Sequence, residues 1–376
     1  MSEVEKYFKE KAKKISFLEL KDDAHIQIGG QLIDSDIPLP IFTDTLVKGI
    51  KRKTINEEIK VSHIVEGIIY IMGVDPSFKY NDNYKQILVL YDLKIENYIF
   101  YKGFKYLSEE KFEEAIVYFR ALLNINPNNP DGLFNYGICL EEIAKRMFEL
   151  NMNNKGEAFL IKATNSFETI LDIDPDYYLA YYKLGYHYKN SGQFLKATLI
   201  WEKYMLIDND KDRKQEIREE LDIIQNDSLY EEGCNLYFSG SFDEALEKFL
   251  KIESRLDNWW NLKYMIGLTY KEMDEIEKAI DYFYEALELD EEVVDIYNEL
   301  GICLFAIGNF NEALEIFNTG IGIDNKNYKI IFNRGIAYYQ IGFYDKAISD
   351  VEIAYKLNPN DPMIRKFKEN LENIKQ

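Results

Sequence analysis

The side chains best suited to chemistry are few and scattered. His25, His63 and His187 stand far apart, with no HExxH spacing and no Cys/His pairing of the kind a bound metal needs. Cys139, Cys234 and Cys303 are odd in number and include no CxxC, which argues against a disulfide framework. Gly29-Gly30 lacks the further glycine and the Lys-Ser/Thr ending of a phosphate loop, and no GxSxG elbow or dinucleotide fingerprint is present. The 66 acidic residues are spread over solvated faces, and no two stand out as an acid and base pair. These residue types point away from catalysis and imply no metal and no cofactor. One further class stays open, an enzyme with its site in residues 1–95.

What does recur at fixed spacing is glycine. Gly103 and Gly137 lie 34 residues apart, and Gly233, Gly267, Gly301 and Gly335 follow one another at 34. The two steps that join these sets, through Gly185, are 48 each, which is 34 plus 14. Twelve residues after six of the glycines stand Ala115, Ala197, Ala245, Ala279, Ala313 and Ala347; the remaining step reaches Ala163 at 26. Four residues after each alanine comes Phe119, Phe167, Trp201, Phe249, Phe283, Phe317 or Val351. Cys139 and Cys303 also keep this register, each two residues after a glycine, as packing positions would.

Two antiparallel helices per period explain this pattern. Small residues let the backbones approach, and the large side chain fills the space beside them. Gly192, Gly240, Gly308 and Gly342 fall at the intervening turn, where a left-handed backbone suits glycine. Pro127, Pro175 and Pro359 close three of the second helices. A period near 34 is the mark of stacked helix pairs, which build binding surfaces.

With its leucine-glycine, alanine-x-x-x-phenylalanine and closing proline positions, the pattern resembles the tetratricopeptide repeat. Seven repeats run over about 96–129, 130–177, 178–211, 226–259, 260–293, 294–327 and 328–361. The resemblance implies an all-α fold, a right-handed αα-superhelix. Residues 1–95 would form a small mixed strand-and-helix cap, and residues 96–376 the solenoid, ending in a capping helix around 362–375. Departures are local: Asp274 replaces a turn glycine, and Lys102, Glu232 and Arg334 put charge at an inner position of the first helix.

The resemblance also implies that first helices line a concave groove. Carried over, the fifth position of each repeat gives Phe100, Phe134, Tyr182, Tyr230, Tyr264, Asn298 and Phe332. The sixth position gives Tyr101, Asn135, Lys183, Glu231, Met265, Glu299 and Asn333, the ninth includes Phe104 and Tyr186, and the twelfth includes Tyr237, Lys271 and Tyr339. Rings beside amides suit an extended peptide. The family's clamp for C-terminal carboxylates is not matched, because Phe100, Phe104 and Leu179 stand where three of its polar residues belong.

The two 14-residue insertions predict a lengthened helix hairpin in repeat two and, between repeats three and four, an added helix or a long extension in which Ile217, Leu221 and Ile224 share a face. Near the N-terminus, Val4, Tyr7, Phe8 and Ile15 predict a short amphipathic helix. SFLEL and HIQIGGQLI read as extended or hairpin segments, DIPLPI as extended, and helical patterns return at about 43–53, 56–72 and 82–93. Residues 16–41 have two placements, in the groove or within the cap.

A formal charge of −21 disfavours nucleic acid and anionic membrane as partners. No run of about 18 apolar residues predicts membrane insertion, and the charged start carries no secretory signal, so a cytoplasmic setting is expected. The expected role is non-catalytic binding of a protein or peptide segment as scaffold, adaptor or chaperone-like factor. A peptide-responsive regulatory sensor is the alternative.

Overall fold

The computed structural model describes residues 2–20, 26–28, 31–33, 35–52 and 60–374. The fold is all-α, of the αα-solenoid class, with nineteen α-helices among the described residues. The chain separates into two compact units, residues 1–192 with 199–217 and residues 193–198 with 218–376.

The first unit begins with α1 (Glu3–Lys11), whose N-cap Ser2 accepts from the Glu5 amide and whose buried Val4 and Phe8 form its inner face. Strand β1 (Ile15–Leu18) pairs antiparallel with β4 (Leu39–Phe42), and β2 (Ile26–Ile28) pairs with β3 (Gln31–Ile33). The Gly29-Gly30 link between β2 and β3 lies outside the described residues. Of the expected helix over 43–53, α2 (Thr43–Arg52) is described. Helix α3 (Val61–Val74) and α4 (Asn81–Tyr91) follow; the expected start of α3 at 56–59 also lies outside the described residues.

Two glycines of α3 permit backbone contact on both sides. A Cβ on Gly67 would stand 2.1 Å from the Pro40 carbonyl oxygen, and one on Gly73 would stand 2.1 Å from that of Val117. Within 16–41, Pro40 of β4 therefore packs its backbone against α3. Strand β4 lies on α3, and Phe17 of β1 stacks on Phe78 with centroids 5.3 Å apart.

Five repeat helices complete this unit's regular part: α5 (Ile95–Ser108), α6 (Phe112–Ile125), α7 (Pro130–Glu149), α8 (Asn153–Ile173) and α9 (Tyr178–Asn190). At 20 and 21 residues, α7 and α8 are the lengthened hairpin expected of the first insertion. One hydrophobic core runs from Val4 to Leu184. Helix α10 (Phe194–Ile207) supplies Trp201, and the second insertion is realised as one long helix, α11 (Lys211–Phe238), of 28 residues.

The second unit adds α12 (Phe242–Glu253), α13 (Trp260–Glu272), α14 (Ile276–Leu289), α15 (Val294–Ala306), α16 (Phe310–Ile323), α17 (Tyr328–Gln340), α18 (Tyr344–Leu357) and α19 (Pro362–Ile374). Its core runs from Ala245 to Leu371.

The repeat chemistry is visible in the contacts. A Cβ on Gly185 would meet Trp201 Nε1 at 2.0 Å, and one on Gly267 would meet the Phe283 ring at 2.7 Å. Repeat seven is looser: a Cβ on Gly335 would meet Asp350 Cβ at 3.1 Å. The turn before α18 holds Gly342 at φ 90, whereas repeats one and five bend Glu110 and Asp274 to φ 57 and 61 at the matching turn.

Candidate functional site

The groove positions are set by the first helices, so their freedom depends on what the second helices press against them. Five of the rings at the fifth position are half-buried and lean on an aromatic of their own repeat. Phe100 meets Phe119 at 5.9 Å, Phe134 meets Phe167 at 5.6 Å, and Tyr182 meets Tyr204 at 5.6 Å. Tyr230 meets Phe249 at 5.9 Å, and Tyr264 meets Phe283 at 5.8 Å. Phe332 is buried and sets its edge against Phe367 of α19. The ring stripe is thus part of the packing. Among the sequence-named rings, Tyr101 of α5 is the most open, at 65% exposed, and Phe104 of the same helix stacks on Phe100.

In the first unit, the polar groups at these positions are already engaged. Asn135 Nδ2 donates to the Asp131 carbonyl at 2.8 Å. Lys183 Nζ and His187 Nε2 each reach a different oxygen of Glu141 at 2.7 Å. Burial alone would push the Glu141 carboxyl up. Hydrogen bonds from His187 and Lys183 and the ammonium charge outweigh it and hold the group below its ordinary value. Tyr182 donates to Glu216 of α11 at 2.8 Å, and Tyr186 donates to the same oxygen. The long helix therefore places a carboxylate on two of the rings named for ligand contact. Between cap and repeat one, Glu66 accepts from Tyr98, Tyr118 and Lys102. Burial would raise the Glu66 carboxyl too, and these bonds hold it low.

The second unit differs. Asn333 Nδ2 donates to Asn298 Oδ1 at 2.7 Å, and Asn298 Nδ2 donates to Glu299 at 3.0 Å. Lys271 Nζ donates to the other Glu299 oxygen at 2.5 Å. This line crosses α17, α15 and α13, the first helices of three successive repeats. It runs along a cleft of about 290 Å³ whose apolar side includes Ile302, Phe332 and Met363. Burial would lower the Lys271 ammonium; its contact with Glu299 outweighs that and holds it above its ordinary value. The amide of Asn333 keeps its carbonyl oxygen free to accept, so the line offers hydrogen-bonding groups beside an apolar wall.

Of the sequence-named residues, Asn298, Phe332 and Asn333 come together at this cleft. Tyr182 and Tyr186 come together under Glu216. Phe100 and Tyr101 sit on α5, Phe134 and Asn135 on α7, Lys183 on α9, Tyr230 on α11 and Tyr264 on α13. Glu299 is reached from the sixth position of its repeat, whereas Glu216 escaped sequence reasoning, because an acid on an acidic helix carries no signal of its own. The charged inner positions have partners: Lys102 with Glu66 at 3.0 Å, Glu232 with Lys248 at 2.8 Å, and Arg334 in a two-pronged contact with Asp350. Among the described residues, no three His, Cys, Asp or Glu side chains gather as metal ligands, and no helix is long and apolar enough to cross a membrane.

Sequence models described as tetratricopeptide repeat match residues 102–129 and 272–329. BBS4 of Bos taurus, a BBSome complex member, is 23% identical over 135 residues, which is 36% of this chain and 26% of that protein. The match thus spans about a quarter of that curated relative. The solved structure of YrrB, a tetratricopeptide-repeat protein with an unusual peptide-binding site, is 18% identical, with a TM-score of 0.28 over 67% of this chain and 97% of that one. A MamA structure is 21% identical, with a TM-score of 0.37 over 48% of this chain and 92% of that one.

Proposed function

We propose that this tetratricopeptide-repeat protein is a non-catalytic scaffold that holds an extended protein segment in the cleft of its second unit. One observation carries the reading: the Asn333–Asn298–Glu299–Lys271 line crosses three first helices beside an apolar wall. An extended chain presents backbone donors and acceptors along one edge and side chains to either side. The amides meet the former, and Ile302, Phe332 and Met363 meet the latter. Asn298 is 7% exposed and held at both ends, so little ordering remains to be done on the protein's side when a ligand arrives. Residues 1–95 serve as the cap of the first repeat, and the half-buried rings from Phe100 to Tyr264 stiffen the helix pairs.

Panning a random peptide library against the full-length protein tests this. The expected result is enrichment of peptides that bind wild type and lose affinity for Asn298→Ala and Asn333→Ala, with helical circular dichroism unchanged. No enrichment, or binding indifferent to both substitutions, would remove the cleft from consideration. The contact of Glu216 with Tyr182 and Tyr186 favours a regulatory version in the first unit, in which an incoming acidic group displaces Glu216.

A further inference from the structure

A second cleft, of about 360 Å³, lies in the first unit between α6 and α8, walled also by Glu5 of α1 and by Pro76. It is walled by the second helices of repeats one and two and by Leu133 and Tyr136 of α7, and includes none of the sequence-named groove residues. At its centre is Arg120, an arginine inside the apolar run Ala115–Leu122 and only 8% exposed. The guanidinium carbon lies 4.1 Å from the Phe8 ring centroid, and Nη2 donates to Glu5. Nη1 is buried with no acceptor within hydrogen-bond distance. A buried charged donor left without an acceptor is costly, so this edge of the guanidinium is short of one oxygen.

The surroundings specify what kind of oxygen would complete it. Lys162 lines the same cleft, is exposed, and forms no ion pair among the described residues. The Asn165 side chain beside it is likewise exposed. Against these two cations stands one carboxylate, Glu5, so the cleft is locally positive in a chain of net charge −21. Pro76, Leu123, Pro127 and Leu133 form an apolar part of the wall, beside the polar Asn124, Ser166 and Thr169. One guanidinium edge and one ammonium match the two oxygens of a single carboxylate. With Glu5 in place the lining carries a single net positive charge, which matches a monoanion better than a dianion such as phosphate.

We propose that this cleft binds a small carboxylate carried on a short apolar group, with Arg120 and Lys162 holding the oxygens and Leu123 and Leu133 receiving the apolar part. Glu5 already occupies one prong of Arg120 and acts as an internal competitor for it. The carboxylate has two possible sources, the C-terminus of a peptide or a free small acid.

Calorimetric titration of the full-length protein tests the site with N-acetyl-Ala-Ala, its C-terminal amide, propionate and inorganic phosphate. Saturable binding of the acid and not of the amide is expected. Propionate binding as well as the dipeptide assigns a free acid, and selective binding of the dipeptide assigns a peptide terminus. Lys162→Met, at an exposed position, should weaken binding about tenfold. Glu5→Gln should tighten it severalfold, because a carboxamide releases Nη2; a purely structural Arg120–Glu5 pair predicts no such gain. The proposal fails if neither acid saturates, if amide or phosphate binds as well as acid, or if Lys162→Met and Glu5→Gln leave affinity unchanged in proteins whose circular dichroism is intact.

Discussion

The two compact units differ in how polar groups at the groove positions of their first helices are engaged. In the first, the groups on the first helices are consumed at home: Glu66 takes up Tyr98, Tyr118 and Lys102, Glu141 takes up Lys183 and His187, and Glu216 takes up Tyr182 and Tyr186. In the second, Asn298 and Asn333 form a line with spare hydrogen-bonding capacity along an open cleft. The first unit also holds the non-repeat N-terminal elements and the lengthened hairpin α7–α8, and the long helix α11 begins there and continues into the second unit. Added elements bring extra polar side chains against the repeat faces, and those must find partners when covered. Regular repeats cover less and leave the face available.

Acid should break this contrast most visibly. Among the described residues, every carboxyl held below its ordinary value lies in the first unit, including Glu66, Glu113, Glu141 and Asp208, the last at about 2. A carboxyl whose folded value is depressed adds stability above its unfolded value, here near the ordinary 4.5 of glutamate, and loses it as pH falls through the folded value. Hydrogen exchange followed by mass spectrometry from neutral pH downward should show residues 60–190 losing protection before residues 242–371. Simultaneous loss would mean that these acids do not set the first unit's stability.

Asp350→Ala should cost about 3 kcal/mol, because it strands the Arg334 guanidinium in repeat seven. The matching pair in repeat four, Glu232 with Lys248, is about a third exposed on each side, and Lys248→Met should cost under about 1 kcal/mol. Urea melts followed by circular dichroism distinguish the two. Equal losses would show that the charged inner positions are interchangeable.

Gly185→Ala should cost about 1–3 kcal/mol by overpacking against Trp201, whereas Gly335→Ala, with 3.1 Å to its nearest neighbour, should cost under about 1 kcal/mol. Thermal melting that ranks them the other way would overturn the helix contacts assigned to the glycines. The smallest expected effect is that of Glu216→Ala, about 1 kcal/mol for hydrogen bonds lost at a largely exposed site. Its value lies in peptide binding: if the first unit's face is silenced by Glu216, the variant should gain peptide affinity that the second-unit substitutions do not abolish.

The repeat itself was legible because its determinants are steric and local. Gly267, Ala279 and Phe283 fix one close approach, and each type is rare enough in the right place to be seen at a 34-residue beat. The pairing of β1 with β4 and the backbone contact of Gly67 with Pro40 were not, since short strands and a lone glycine inside an apolar helix carry no register. At the site, the amides Asn298 and Asn333 were found by position. The rings were named from the same positions, but a linear pattern cannot say that Tyr264 leans on Phe283 instead of facing a ligand. Arg120 did leave a trace, a single cation inside an apolar run of a second helix. Its meaning depends on Phe8 and Glu5, more than a hundred residues away in sequence.

The uniform beat from Gly267 to Gly335 has a consequence for how such a chain can change length in evolution. Excising residues 294–327 would splice one helix pair onto the next with every glycine, alanine and phenylalanine still in phase, so a recombination event there is mechanically quiet. The same excision removes Asn298 and Glu299, and with them the bridge between Lys271 and Asn333. Length is therefore freely editable in this part of the molecule, while the proposed recognition line is written across the joints.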